Sequence, residues 1–229
     1  LHREALLSEH RQGEEDRRRR REALEQRLPR FRGDPWWSMG VYSLAQDLDQ
    51  VASDPERRIR ARALALAGER AYPGTHGAQR CRQLIAQIES PDYQLQSMTV
   101  DGADRRSIEI THRNLAALYL RAYPVDLAAQ LGRAEFRGFF PTDAREIERL
   151  LATATPVAEW KVALPPTADY LPHRTFVTPP LAKAGTYLLV ASAGRSFGEG
   201  GNRRVALAFT LSDLVLLEEG GLGVHGSDS

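Results

Sequence analysis

The chain has 229 residues, of which 42% are hydrophobic and 27% charged, with a formal net charge of +1. This is the make-up of a globular chain with room for one large domain or two small ones. It exerts no strong electrostatic pull on nucleic acid or acidic membranes, and no window approaches the roughly 18 consecutive apolar residues of a transmembrane helix.

The opening "LHREALLSEH" lacks the continuous apolar core of a signal peptide. A first residue of leucine rather than methionine leads us to expect a piece of a longer protein, whose compartment this segment does not specify. Residues 1–28 hold "EEDRRRRREALEQRL", rich in helix formers, with an apolar stripe limited to Leu6, Leu7, Leu24 and Leu28. A charged, exposed helix is predicted. The run Arg17 to Arg21 has the composition of a phosphate-binding patch. Glu14, Glu15, Asp16, Glu22 and Glu25 flank it at i,i+4 reach, so a solvated helical face is the preferred reading.

In the turn "RFRGDPWW", Trp36 and Trp37 are expected to anchor the first helix to a helical array. The array's first member, "SLAQDLDQVA", puts Leu44, Leu48 and Val51 on one stripe. In "SDPERR", Ser53 or Asp54 suits a cap and Pro55 the first helical position. The helix it opens is expected to turn Ile59, Ala63, Leu66 and Ala67 toward a partner. "YPGTHG" stops that helix, and "AQRCRQLIAQIES" buries Cys81, Leu84, Ile85 and Ile88. The lone Cys81 makes neither a disulfide nor a paired metal motif and reads as a small buried hydrophobe. Three short helices joined by tight turns predict an array over residues 1–90 with tetratricopeptide-like hairpin packing, without a clear second copy of a repeat.

At Pro91 helical spacing gives way to alternation. "YQLQSMTV" alternates weakly. "SIEITHRN" sets Ile108 and Ile110 against Glu109 and Thr111, and "AALYLRAYPVD" sets Leu118, Leu120 and Ala122 against Tyr119, Arg121 and Tyr123. A helical insertion is predicted over about 127–153, capped at Thr142 or Asp143, with Ile147, Leu150 and Leu151 as its stripe. "PVAEWKVAL" places Trp160 on a core face with Val162 and Leu164. "HRTFVTPPL", stopped by Pro179, reads as an edge strand, and "GTYLLVASA" and "RRVALAFTLSDLVLLEE" are long and apolar. Seven strands with turn-rich links predict an antiparallel two-sheet sandwich over 91–219. The polar residues 220–229 read as a flexible tail. The fold class is thus α+β: a helical array, then a seven-stranded sandwich with a helical insertion.

Between the last two strands lies "GRSFG", which fits the nucleophile-elbow pattern G-x-S-x-G. An elbow needs a helix after its serine. Ser196 is followed instead by glycines and the alternating Val205, Leu207, Phe209 and Leu211, so a β-hairpin loop is predicted. The later Asp213, His225 and Asp228 offer no rigid triad partners. With Gly194, Gly198, Gly200 and Gly201 in it, the loop is expected to be mobile and poorly contacted. His2, His10, His76, His112, His173 and His225 are scattered, without an H-x-x-x-H pair. No catalytic, cofactor or metal residue is assigned, and no cofactor is called for.

The segment "VAEWKVALPPTADYLPHRTFVTPPLAKAGTYLLVAS", closed by "VALAFTLSDLVLLEE", resembles a macroglobulin-like domain of the bacterial alpha-2-macroglobulin family. The similarity rests on the tryptophan strand, the "L-P … D-Y … H" connection, the proline before "G-T-Y-L-L-V" and the terminal "F-T-L-S-D-L-V-L". The upstream "SIEITHRNLAALYLRAYPVDL" is similar to early strands of such domains, and "AYPGTHGAQRCRQLIAQIESP" to helices that precede them. The similarity spans about residues 70–218. The family's members are large secreted or periplasmic proteins that trap proteases through a cleaved bait region and, in some, a thioester. The resemblance implies a macroglobulin/fibronectin-III-like fold and a periplasmic, cell-envelope or secreted setting. It also implies a scaffold role whose partners are neighbouring domains of a parent chain and, through the whole protein, target proteases. Cys81 is followed by Arg82, Gln83 and Leu84, which departs from the C-x-E-Q thioester setting. The expected function is a non-catalytic scaffold segment, with no nucleic-acid partner and no membrane span. The alternatives are a stand-alone adaptor whose helical array offers a peptide groove, and a hydrolase using Ser196.

Overall fold

The computed structural model describes residues 2–97, 107–131, 140, 144–198 and 202–211. Its elements run α1 (His2–Arg27), a 3-10 turn (Leu28–Phe31), α2 (Trp37–Asp49), α3 (Arg57–Ala71), α4 (His76–Glu89), β1 (Asp92–Ser97), β2 (Ile108–Arg113) and β3 (Ala117–Val125). Then come α5 (Leu127–Leu131), α6 (Ala144–Thr153), β4 (Ala158–Ala163), β5 (His173–Val177), β6 (Gly185–Ser192) and β7 (Arg204–Leu211). The chain is α+β, with a three-stranded sheet ordered β1-β2-β5 and a four-stranded antiparallel sheet ordered β4-β3-β6-β7. Met98–Val100, the cap positions Thr142 and Asp143, and everything after Leu211 lie outside the described residues. Contacts divide the chain into two units, and two short segments of the later half, His112–Leu115 and Pro166–His173, group with Leu1–Asp92.

In the first unit α2, α3 and α4 pack around Leu44, Ala45, Leu48, Ala61, Ala65, Cys81, Leu84, Ile85 and Ile88, with Leu24 and Leu28 against the same core. The apolar stripe of α4 lies where the periodicity puts it, and so do Leu44 and Leu48 of α2, but α2 ends at Asp49 and Val51 lies beyond it, half-buried. The stripe of α3 is displaced: Leu66 is partly buried against the core, but Ile59, Ala63 and Ala67 are exposed, and the fully buried side is Ala61, Ala65 and Gly68. Small residues carry little hydrophobic signal, but they let backbones approach. A Cβ on Gly68 would lie 2.7 Å from Cys81 Sγ, and one on Gly77 2.5 Å from the Met39 backbone nitrogen. The helix also begins at Arg57 rather than Pro55, because the Asp54 carboxylate accepts from the Glu56 N–H (2.9 Å) in the preceding turn. Thr75 caps α4 by accepting from the Ala78 N–H at 3.2 Å. Trp36 corrects the aromatic-anchor expectation: it is 77% exposed, while Trp37 is half-buried with the Arg32 guanidinium 5.9 Å from its ring centroid.

In the second unit the alternation of each strand sorts the four-stranded sheet into two faces. Leu118, Leu120 and Ala122 of β3 pair with Val162, Trp160 and Ala158 of β4, and Leu120 and Ala122 with Ala191 and Leu189 of β6. Trp160 therefore shares the face of Val162 and Leu164, although it is half-buried where they are buried. The opposite face is covered too. Tyr123, Leu188, Val190 and Phe197 form a buried cluster against which Ile147, Leu150, Leu151 and Ala154 pack. That contact is the purpose of the helical insertion: α6 lays its apolar stripe on a sheet face that would otherwise meet water. Within the three-stranded sheet Ile108, Ile110 and His112 of β2 are buried, and β5 occupies an edge, as the proline stop predicts.

Candidate functional site

Ser196 sits in the loop between two antiparallel strands, β6 and β7, and no described residue after it is helical. Its side chain is exposed, and its hydroxyl accepts from the Gly198 N–H at 3.3 Å; no described histidine or carboxylate bonds to it. The loop is a hairpin connection, but its described part is not poorly contacted. Phe197, at a φ of 54°, is buried in the cluster beneath α6, with the Arg121 guanidinium 4.2 Å from its ring centroid. Asn202 closes the loop from the other side. Its amide donates to Ser192 Oγ (2.8 Å) and to the Gly198 carbonyl (3.1 Å), and its oxygen accepts from the Gly194 N–H (3.2 Å). One buried aromatic and one amide offset the entropy of the glycines, which is the only contribution the mobile-loop expectation includes. Gly200 and Gly201 lie outside the described residues.

The other sequence candidates fall apart in space. Among the described residues no group of histidine, cysteine and acidic side chains is arranged to hold a metal ion, and no helix is long and apolar enough to cross a membrane. Arg17 to Arg20 are exposed and Arg21 half-buried. Arg18 lies 3.7 Å from Glu22, the i,i+4 pairing that the sequence offers. Cys81 is buried, and burial, aided by Glu69, pushes its thiol up to about 11. His112 is buried, and burial first, then the charge of His173, lowers its pKa, so it is neutral at neutral pH.

Two polar clusters join residues that the sequence pattern does not bring together, and both lie in the first unit. One fixes the Pro166–His173 segment to the helices. Arg58 bonds the nearly buried Asp49 at 3.1 Å and donates to the Tyr170 carbonyl at 2.8 Å, while Arg62 lies 5.5 Å from the Tyr170 ring centroid. Tyr170 (φ 58°) and Asn114 (φ 55°) take left-handed backbone conformations there, and Asn114 Nδ2 donates to the carbonyls of Ile88 (2.8 Å) and Ser90 (3.1 Å). Both Asp169 oxygens lie 2.9 Å from His173 Nε2. Burial raises the Asp169 pKa, but the Leu171 N–H and His173 outweigh it, so the carboxyl titrates below its usual range. The segment is thus held by Arg58 through the Tyr170 carbonyl and by the Asn114 N–H, which donates to Thr167 Oγ1 at 2.7 Å.

The second is a cleft of about 210 Å³ between α2 and α4, lined by Tyr42, Gln46, Asp49, Gln50, Arg80, Gln83, Leu84 and Gln87. The two helices begin side by side: Cys81 Sγ lies 3.6 Å from the Ser38 carbonyl, and Gly77 abuts Ser38 and Met39. They therefore run in the same direction. At one end Arg80 donates to the Tyr42 hydroxyl at 2.8 Å and to Gln83 Oε1 at 3.4 Å, its guanidinium 4.9 Å from the Tyr42 ring centroid. At the other, Asp49 is already engaged by Arg58. The cleft is thus a row of amides with one fixed cation and its one acid neutralised. The signal is present as Gln46/Gln50 and Gln83/Gln87, each at helical i,i+4 spacing, but nothing in the sequence says that the two rows face one another.

No family model, no curated protein and no solved structure matches this chain.

Proposed function

We propose that the chain is a non-catalytic scaffold segment of a bacterial alpha-2-macroglobulin-like protein, carrying a macroglobulin-like β-sandwich of seven strands. The observation that supports this most is the strand order. The chain lays β1 and β2 in one sheet, β3 and β4 in the other, returns to the first for β5 and ends in the second with β6 and β7. Such repeated crossing between a three- and a four-stranded sheet is how Greek-key sandwiches are wound. Tyr93 of β1 donates to the carbonyls of Ala191 (3.2 Å) and Arg203, tying the two sheets together. The resemblance of the tryptophan strand and the terminal strands to macroglobulin domains points the same way, as does a Ser196 loop built as a hairpin. On this reading the segment works in the periplasm, cell envelope or secreted fluid, as a spacer between neighbouring domains.

The test uses the whole gene product that contains this segment. Incubated with trypsin, it should be cleaved and should shield trypsin from a protein-sized inhibitor while small peptide substrates are still hydrolysed. The 229-residue segment alone should give no such shielding. Full-length protein that is cleaved but never shields trypsin would refute the reading.

A further inference from the structure

Beyond that scaffold role, we infer that the cleft between α2 and α4 is a docking site for an extended protein segment bearing an acidic side chain. Three features carry this. The first is charge: among the described residues Arg80 has no carboxylate partner, and Asp49, the cleft's one acid, is neutralised by Arg58 at 3.1 Å. The second is preorganisation. The Tyr42 hydroxyl, the Tyr42 ring and Gln83 hold the Arg80 guanidinium in place, so a carboxylate meets a fixed fork instead of a wandering side chain. The third is spacing. Gln46 on α2 and Gln50, the αR residue that caps its C-terminus, and Gln83 and Gln87 on α4, are each four residues apart, a rise of about 6 Å along a helix. An extended chain repeats on one side every two residues, about 6.7 Å. Each glutamine offers both a donor and an acceptor, so two successive rungs can address every second peptide unit of the same chain. The acidic side chain then lies at the Arg80 end and the backbone runs toward Gln50 and Gln87.

The experiment is a titration of the 15N-labelled chain, followed by NMR through its Arg Nε–H and Gln side-chain amide signals. Three probes are used: a capped Gly-Ser peptide with one central glutamate, its glutamine twin, and glutarate. The glutamate peptide is expected to shift the Arg80 Nε–H and the Gln46 and Gln83 side-chain signals together. The twin should bind at least about tenfold more weakly, the loss expected when one charge-assisted contact is removed. Glutarate should also be weaker, because it brings no backbone to the glutamines. Arg80→Gln should abolish the preference for glutamate, and Gln46→Glu should weaken binding by placing an acid in the cleft. Arg70→Gln, an exposed arginine on α3 outside the cleft, should change nothing. Equal affinity for the two peptides, glutarate binding as well as the glutamate peptide, shifts confined to other residues, or no shifts at all would each overturn the inference.

Discussion

Gly77→Ala puts the packing of the helical unit to a test in which local and tertiary effects have opposite signs. Gly77 is the second residue of α4, and alanine favours a helix over glycine by up to about 1 kcal/mol. Judged locally, the substitution stabilises. In the folded chain the new Cβ would lie 2.5 Å from the Met39 nitrogen, 2.7 Å from the Ser38 carbonyl carbon and 2.8 Å from Ser38 Cβ. Two of these neighbours are backbone, so no rotamer change relieves the overlap; the first turn of α2 has to withdraw. That turn is held by the buried Ser38, whose hydroxyl donates to the Gly68 carbonyl at 2.8 Å and whose own carbonyl lies 3.6 Å from Cys81 Sγ. Overpacking costs about 1–3 kcal/mol, and loosening a buried hydrogen bond about 1 more. Less the helix gain, the expected net loss is about 2 kcal/mol. Urea unfolding followed by far-UV circular dichroism measures it, with Gly13→Ala as the matched control. Gly13 lies in α1 with nothing within 4 Å of an added Cβ, so that change should be neutral or stabilising. A Gly77→Ala chain as stable as the parent would mean that α2 and α4 do not approach as closely as described.

Phe197→Ala should cost about 3 kcal/mol, because it empties a buried site beneath α6, whereas the neighbouring Ser196→Ala should stay within about 0.5 kcal/mol and a fluorophosphonate probe should leave Ser196 unlabelled; comparable losses from both, or stoichiometric labelling, would contradict the hairpin loop. Trp160→Ala should cost about 2 kcal/mol, below the roughly 3–5 kcal/mol of a fully buried aromatic, since the indole is half-buried; urea melts decide this. The Cys81 thiol is raised from 9.0 to about 11, so the folded state favours its neutral form. Its contribution, on the order of 2 kcal/mol, is fully present below pH 9 and is lost as the pH rises toward 11, and Ellman's reagent should reach it only on unfolding. Duplex DNA or heparin should bind the chain no tighter than about 10⁻⁴–10⁻⁶ M at physiological salt; a tighter complex that depends on Arg17 to Arg21 would show that the run is a phosphate site.

Periodicity is a local property, and the features that depend on it were legible in the sequence. The helical repeats of α2 and α4, the alternation of β2, β3 and β4, the edge position of β5 before Pro179 and the helical insertion between the third and fourth strands all follow from which residues recur at 3.6 or 2. So does the rejection of an elbow at Ser196, because the pattern after it is that of a strand. The features that only the tertiary structure decided involve partners distant in the chain. The buried side of α3 is a stripe of alanine and glycine, visible only once Cys81 and Val41 are seen to lie against Gly68. Trp36 and Trp37 are adjacent and chemically identical, yet one faces water and the other Arg32. Phe197 holds a loop that its glycines alone would leave loose, because Tyr123, Leu188 and Val190 supply a pocket from other strands. The cleft is the extreme case: Tyr42 and Arg80 stand 38 residues apart in sequence, and only the packing of α2 beside α4 turns two polar helix faces into one lined groove.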